Sequence, residues 1–435
     1  MEKNYKEALA YLYSQLPMFS RTGGAAYKPG LDTSLALARF FNDPQKKLKC
    51  IHVGGTNGKG STSHMIASIL QEQGYKTALY TSPHLVDFRE RMRINGRMIP
   101  EEKVVEFVNK WENSSYTGHP SFFELTMIMA FNWFAEEKVD YAVIEVGMGG
   151  RLDSTNIIMP LVSVITNITH DHNQFLGNTL QEIAGEKAGI IKERVPVVIG
   201  ETQAETEQIF KKKASENNTV IVFADQALES TTIESTEEGM NISYNGLEIH
   251  SPLGGDYQKK NLKTVLTVTE VLNRSGIQID QTSIKSGIEK VIENTGLTGR
   301  WLVINKTPLT IADTGHNIAG LEYNFRQLER LLAKKGKGIL RVIIGFVADK
   351  AIDKILDLLP KNAEYYVTNA QIPRALPAEK LLEKFIEKGL KGKAYSTVGD
   401  AYQEAKKEAS EKDLIFIGGS TFIVADFLES ENSTS

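Results

Sequence analysis

The sequence predicts an α/β protein of two domains. The larger is built on a mostly parallel sheet behind a phosphate-binding loop and carries a small antiparallel excursion; a smaller α/β domain follows. Three observations predict this. Short β-branched runs alternate with helical patterns along nearly all of the 435 residues. The runs are continuously apolar, as in strands covered on both faces by crossover helices. The texture breaks twice, at the Ser/Thr/Glu-rich stretch 227–251 and at "NTGLTGRW", residues 294–301.

In chain order, "MEKNYKEALAYLYSQL" is amphipathic and mixed in charge, without the apolar core of a signal peptide. No stretch approaches the roughly 20 apolar residues that span a bilayer. A cytoplasmic protein is expected, with no membrane partner. The strand candidates are "LKCIHVGG", "KTALYTS", "DYAVIEVG", "LVSVITNI", "VPVVIG" and "TVIVFA", with helical patterns such as Val104 to Trp111 and Glu124 to Glu137 between them. "YNGLEI" signals a hairpin inside the antiparallel excursion. Helices are expected from about Tyr257 to Arg274 and from Gln281 to Glu293. "NTGLTGRW" marks the domain boundary. Beyond it, "WLVINKTPLTIADTGHN", "ILRVIIGFV", "EYYVTNA" and "DLIFIGGS" again alternate strand with helix.

Apolar content of 41% and charged content of 24% are ordinary for a globular chain. The single cysteine, Cys50, excludes an internal disulfide and a Cys-rich zinc site; in its apolar strand it reads as a buried thiol. A net charge of −4 argues against nucleic acid as the main partner.

"VGGTNGKGST" carries the first chemistry. Strand, glycine loop and helix aim backbone N–H groups at an anion. Gly54, Gly55, Gly58 and Gly60 permit positive φ and close backbone approach. Lys59 would reach the β/γ-phosphates, and Ser61 and Thr62 offer hydroxyls at the helix start. The common phosphate-loop pattern fails by the letter, because Val53 stands where its first glycine belongs and Gly60 follows the lysine. Four glycines at a strand-to-helix junction still favour nucleotide phosphate over a plain tight turn.

Ligands of parallel sheets collect outside the carboxyl ends of the strands, and polar groups gather there. "ALYTSPHL" delivers Ser82 and His84. "AVIEVGMGGRLDSTN" carries Glu145, Arg151 and Asp153, and "VITNITHDHNQFLG" carries Asn167, His170, Asp171 and His172. Glu145 lies within an apolar strand. A buried carboxylate needs a pairing cation, and magnesium bridging to ATP, helped by the Ser82 hydroxyl, would supply one. Glu186 and Lys187 stand in an otherwise apolar helical pattern. The second domain offers Arg300, then Asp313, His316 and Asn317, then Ser420 and Thr421; any one of these alone could be an ordinary helix cap.

Taken together, "GTNGKGSTS", "TSPHLVDFRERMRINGRMI", "FFELT", "VIEVGMGGRLDSTN", "ITHDHNQFLG", "IAGEKAGII" and "DTGHN" resemble the folylpolyglutamate synthase and dihydrofolate synthase family, a branch of the Mur-type ATP-dependent amide ligases. The motifs keep the family's order from about residue 20 to about residue 425. The departure in the phosphate loop is itself what this family looks like. The resemblance implies an ATP-binding, Mur-ligase-like central domain over 1–296, a hinge over 297–300, a Rossmann-like C-terminal ligase domain over 301–435, and a site between them. It implies that Asn57, Gly58, Lys59, Gly60 and Ser61 form the phosphate loop, and that Ser82, Glu145 and His172 bind magnesium. Lys187 is similar to a family lysine that is often carbamylated, a change that turns a cation into a carboxylate-like group near a second metal. Asn261, Arg300 and Asp313 correspond to nucleotide contacts, with Gln258 as a weaker match, and His316 to the glutamate side. Asp32, Phe122, Phe123, Glu124, Leu152, Asp153 and Ser154 are the folate or pteroate candidates. ATP is implied as a substrate, with two magnesium ions, and a monovalent cation is a further candidate. The other substrates are L-glutamate, folates and dihydropteroate, and a monomer is expected.

A carboxylate resists an amine because its leaving group would be oxide. Phosphoryl transfer from ATP makes an acyl phosphate, which the α-amine of glutamate can attack. That intermediate needs protection from water, and a hinge at "NTGLTGR" suits closure after glutamate binds. Bacterial relatives often accept both dihydropteroate and reduced folate, so a bifunctional enzyme is expected, with chain extension as the firmer half. Two alternatives remain. One is a ligase of cell-wall precursors, which would need an N-terminal UDP-binding domain ahead of a loop that here begins near residue 54. The other is a nucleotide-binding module without ligase activity.

Overall fold

The computed structural model describes residues 3–16, 30–228, 230–236, 238–348 and 352–434. It divides into two compact units, Met1–Pro252 with Gln258–Leu297, and Leu253–Tyr257 with Thr298–Ser435. Leu253–Tyr257, which the sequence leaves in the larger domain, groups with the second unit for a physical reason. Gly254 and Gly255 let its backbone lie against Trp301, where an added Cβ at Gly254 would come within 2.3 Å of the indole.

The main sheet of the first unit contains β1 (Cys50–Gly54), β2 (Thr77–Tyr80), β3 (Met92–Ile94), β4 (Arg97–Met98), β5 (Tyr141–Glu145), β6 (Pro160–Ile165), β7 (Val197–Ile199) and β8 (Ile221–Phe223). Their order is β4-β3-β2-β5-β1-β6-β7-β8. All six strands expected from the apolar runs are present and parallel. The antiparallel β3–β4 hairpin at one edge was not anticipated, although its Asn95-Gly96 turn, with φ of 45° and 74°, is a hairpin signal. The Ser/Thr/Glu-rich excursion forms a separate antiparallel sheet of β9 (Thr232–Ser235), β10 (Met240–Tyr244) and β11 (Leu247–Ser251). Its expected turn falls at Asn245-Gly246.

Two helices explain how this unit holds together. Helix Phe122–Glu136 is buried almost all round and begins in a capping box between Ser121 and Glu124. Helix Lys59–Glu72, which leaves the phosphate loop, is buried without a break from Ser61 to Leu70. It packs against helices Gln258–Arg274, Gln281–Glu289 and Val291–Thr295. The last two were expected as one helix. They part at Lys290, where Ser68 Oγ donates to the Gly287 carbonyl at 2.6 Å and competes with the helical bond from residue 291. Cys50 is buried, as expected.

The second unit has β12 (Leu302–Lys306), β13 (Leu309–Ala312), β14 (Leu340–Ile344), β15 (Glu364–Val367), β16 (Lys391–Ala394) and β17 (Leu414–Gly418), in the order β12-β13-β17-β14-β15-β16. Only β12 runs antiparallel, so "WLVINKTPLTIA" is a hairpin rather than part of a strand–helix alternation. Arg341 is buried at the amino-terminal end of β14. It bonds Asp413 at 2.9 Å, Glu364 at 2.5 Å and the Tyr366 hydroxyl at 2.7 Å. Removing it leaves Asp413 buried without its cation. Arg341→Ala is therefore expected to lower unfolding free energy by about 3–5 kcal/mol in urea titrations.

Candidate active site

The order β2-β5-β1-β6 lines up four carboxyl ends side by side. Ser82 follows β2, Glu145 ends β5, the glycine loop follows β1, and residues 166–172 follow β6. Val53 is in register with Glu145, so the phosphate loop and the acidic residue leave neighbouring strands at the same rim.

The loop's path demands its glycines. Gly55 has φ of 131°, and a Cβ there would fall 1.9 Å from Thr166 Oγ1. Gly58 has φ of 85°, and a Cβ would meet Asn261 Oδ1 at 2.2 Å. The strand next door holds the loop down. Thr166 N–H donates to the Gly54 carbonyl at 3.0 Å, and Thr56 N–H donates to the Asn167 carbonyl at 2.9 Å. Asn57 N–H donates to Asn167 Oδ1 at 3.0 Å, and Thr166 Oγ1 donates to the Asn57 carbonyl at 2.6 Å. Thr166 was not singled out in the sequence, and nothing in its local pattern marks it. Lys59 Nζ donates to the Thr56 carbonyl at 2.9 Å, so the lysine folds over its own loop. Gly60 lies in the first turn of the following helix, whose N–H groups have no helical partner. Ser61 Oγ accepts from Gln258 Nε2 at 3.1 Å, and Gln258 Oε1 accepts from Asn261 at 2.8 Å. Gln258 and Asn261 thus back the loop as a pair.

Glu145 is buried and accepts the Ser82 N–H at 2.8 Å. His172 has a left-handed backbone, with its ring 3.8 Å from the Asp171 carboxylate. Among the described residues, no group of three or more His, Cys, Asp or Glu is gathered to cage an ion. Magnesium needs no such cage: it is bound through one or two carboxylates, here Glu145, and fills its octahedron with other oxygens, phosphate and water among them. Lys187 is buried in helix Leu180–Ala188 and donates to the Gly55 carbonyl at 2.9 Å. Burial, and then the charge of Lys59, lower its amine to about 7, against the pull of Asp171 and Asp153.

The folate candidates separate into groups. Phe122 is buried and stacks on Tyr13 with centroids 5.6 Å apart. Phe123 lies beside Gly147, where a Cβ would come within 2.6 Å of its ring, and 6.1 Å from Tyr80. Glu124 turns inward: it accepts Ser121 N–H at 2.8 Å, Ser121 Oγ at 2.9 Å and Ser34 Oγ at 3.0 Å. Asp153 likewise caps the turn Ser154–Ile157, accepting from Met148 N–H at 2.8 Å and from Thr155 N–H at 3.0 Å. Burial pushes its carboxyl up, against those donors. Both carboxylates, expected as ligand contacts, have local structural bonds. Leu152 and Ser154 flank Asp153 and are half-buried, and Asp32 is exposed in the first turn of helix Asp32–Phe40.

In the second unit, Asp313 directly follows β13, buried, with four donors around it. These are Tyr257 OH at 2.6 Å, Trp301 N–H at 2.7 Å, Gly315 N–H at 2.7 Å and Asn324 Nδ2 at 2.8 Å. Arg300, next to Trp301 in sequence, is half-buried. His316 Nδ1 lies 3.0 Å from the Thr314 carbonyl, which can only accept, so Nδ1 carries the proton. Asn317 caps helix Ile318–Lys335.

Known proteins resemble this chain in sequence and fold. The model of the Mur ligase middle domain matches residues 53–269, and that of the Mur ligase, glutamate ligase domain matches residues 299–421. The chain is 32% identical to the dihydrofolate synthase/folylpolyglutamate synthase of Bacillus subtilis, over 97% of this chain and 98% of that protein. It is 31% identical to the protein of the same name from Escherichia coli, over 87% and 85%. The structure of E. coli FolC in complex with DHPP and ADP superposes with a TM-score of 0.84 at 28% identity, covering 99% and 98% of the two chains. A bifunctional folylpolyglutamate synthase/dihydrofolate synthase with Mn, AMPPNP and L-glutamate bound gives 0.82 at 27% identity, again over 99% and 98%. With matching family models in both units and relatives similar over nearly the full length, the chain belongs to the dihydrofolate synthase/folylpolyglutamate synthase family of Mur-type ATP-dependent ligases.

Proposed function

We propose that this chain ligates L-glutamate to folate carboxylates at the expense of ATP, extending reduced folates through γ-linkages and also converting dihydropteroate to dihydrofolate, as a cytoplasmic monomer. Among the described residues, no helix is long and apolar enough to cross a membrane. The observation that carries the proposal is the meeting of the glycine loop, Ser82 and Glu145 at adjacent strand ends, with Lys187 donating into the same loop.

The loop N–H groups and Lys59 bind the triphosphate, and the lysine neutralises charge that builds on the transferring phosphoryl group. Glu145, Ser82 and His172 would hold magnesium, which when bound supplies Lewis-acid charge at the phosphates. Gln258 and Asn261 keep the loop in its binding shape. The γ-phosphoryl group passes to the acceptor carboxylate, and the amine of glutamate displaces phosphate from the acyl phosphate. His316, oriented by its Nδ1 on the Thr314 carbonyl, serves the glutamate side. Arg300 and Asp313 serve the nucleotide, Asp313 by ordering the backbone of Trp301 and Gly315. Phe122, Phe123 and the 152–154 turn shape the acceptor site. Lys187 has the environment that carbamylation needs: a buried amine whose pKa is lowered to about 7, so that a large share is unprotonated near neutral pH and can attack carbon dioxide.

Purified protein with ATP and glutamate, offered dihydropteroate or tetrahydrofolate, is expected to give both glutamyl products by mass spectrometry, with carboxylate 18O appearing in phosphate. ATP hydrolysis that ignores glutamate and acceptor alike would sink the proposal. Glu145→Ala is expected to cut kcat by about 100-fold or more, as for loss of a group that organises transition-state charge. Lys187 also sets a pH dependence. Its folded pKa, about 7, lies below the ordinary 10.5, so between those values the unfolded chain holds the extra proton. In bicarbonate-free buffer, stability should therefore rise with pH across that window by up to about 1.4 kcal/mol per unit relative to Lys187→Met. Urea titrations of the two proteins at several pH values measure the difference.

A further inference from the structure

Glu201 has no part in the site as assembled so far. It lies just past β7, which is separated from β1 in the sheet by β6, and it is half-buried. Gly200 before it lets the chain lie on the exit of β6. The Gly200 N–H donates to the Ile165 carbonyl at 2.8 Å, and a Cβ there would come within 2.3 Å of the Thr166 carbonyl. Glu201 Oε1 accepts from Asn167 Nδ2 at 3.2 Å, and Oε2 accepts from Lys260 Nζ at 2.5 Å. Two residues on, Gln203 grips Ile168 by its backbone: Oε1 accepts the Ile168 N–H at 3.0 Å, and Nε2 donates to the Ile168 carbonyl at 2.9 Å. The exit of β6, which holds down the phosphate loop, is thus itself held by the exit of β7.

Asn167 carries this hold to the loop, and its amide can stand only one way. The Asn57 N–H can only donate, so Asn167 Oδ1 faces it, at 3.0 Å. A carboxylate can only accept, so Nδ2 faces Glu201. A flipped amide would set donor against donor at one end and acceptor against acceptor at the other. The peptide between Thr56 and Asn57 is planar and trans, so its carbonyl points opposite to its N–H. With that N–H fixed on Asn167, the Thr56 carbonyl is turned to the other side, where Lys59 Nζ donates to it at 2.9 Å. A chain of contacts therefore runs from Glu201 through Asn167 and the 56–57 peptide to the phosphate lysine. Lys260 meets Glu201 from the helix that also carries Gln258 and Asn261, the pair that backs the loop.

We propose that Glu201 is a positioning residue for nucleotide binding: by fixing the Asn167 amide it fixes the peptide on which Lys59 rests. It acts through Asn167 rather than on the nucleotide. This rests on the ATP-dependent ligase function above and names a residue, two strands away, that shapes the loop. A Glu201 that served only to pair with Lys260 would affect stability without separating nucleotide affinity from acceptor affinity.

The test measures binding of MgADP, and of dihydropteroate with MgADP saturating, by titration calorimetry. Glu201→Ala is expected to weaken MgADP about tenfold, the scale of a hydrogen bond to a charged group, while dihydropteroate affinity stays within about twofold. Glu201→Gln keeps an acceptor for Asn167 Nδ2 and should restore most of the MgADP affinity. Asn167→Ala should weaken MgADP at least as far, and adding Glu201→Ala to it should cost nothing more, as for two residues in one chain of contacts. A Glu201→Ala protein that folds by circular dichroism and binds MgADP as the wild type does overturns the assignment. So do losses that add in the double variant, and a dihydropteroate affinity that falls as far as that of MgADP. If the alanine variant does not fold, Glu201→Asp, one carbon short of Asn167, carries the same comparison. A wild type that binds MgADP but transfers no glutamate overturns the ligase function alone. One that ligates glutamate while Glu201→Ala leaves MgADP affinity unmoved overturns the Glu201 assignment alone.

Discussion

The register between β1 and β5 is the constraint from which the site follows. Val53 and Glu145 lie side by side, and parallel hydrogen bonding sends both chains out of the sheet at the same end. Neighbouring strands sit roughly 4.8 Å apart, so a carboxylate ending one strand stands within an ion's reach of a loop starting at the next. Glu145 would be costly to bury in an apolar strand on its own account. Its burial is eased where the backbone N–H of Ser82 meets it.

The loop itself is a shape imposed from outside. Its N–H and carbonyl groups bond to Thr166 and Asn167 beyond β6, and its glycines leave room for Thr166 and Asn261. Helix Lys59–Glu72 then carries the loop's far end into the core, packed by three helices that come much later in the chain. The same crowding sets the electrostatics. Lys187 is pressed against the Gly55 carbonyl, and the nearby charge of Lys59 adds to burial in disfavouring a second cation there. Lys187 is thus eased toward neutrality.

The second unit shows how polar strand ends can be structural and functional at once. Asp313 collects four donors, two of them from Tyr257 and Trp301, and so fixes the backbone on which Arg300 and His316 are mounted. Glu124 and Asp153 behave similarly in the first unit. Their sequence positions matched a ligand motif, yet their oxygens close a helix and a turn. Thr155 holds Asp153 from two residues away, but Ser34, which bonds Glu124, lies 90 positions from it.

The sequence by itself determined the class of fold, the six parallel strands and the glycine loop that joins β1 to its helix, because continuous apolar runs, glycine spacing and helix starts are local consequences of backbone sterics and burial. Through its ordered motifs it also identified the family. It missed the β3–β4 hairpin, the break at Lys290 and the pairing of Tyr257 with the second unit. Only the tertiary structure decided which polar groups face one another: Lys187 under Gly55, Gln258 against Ser61, Asn167 against Glu201. Those contacts join segments tens to hundreds of residues apart. Their geometry is set by strand order and register, which no window of sequence contains.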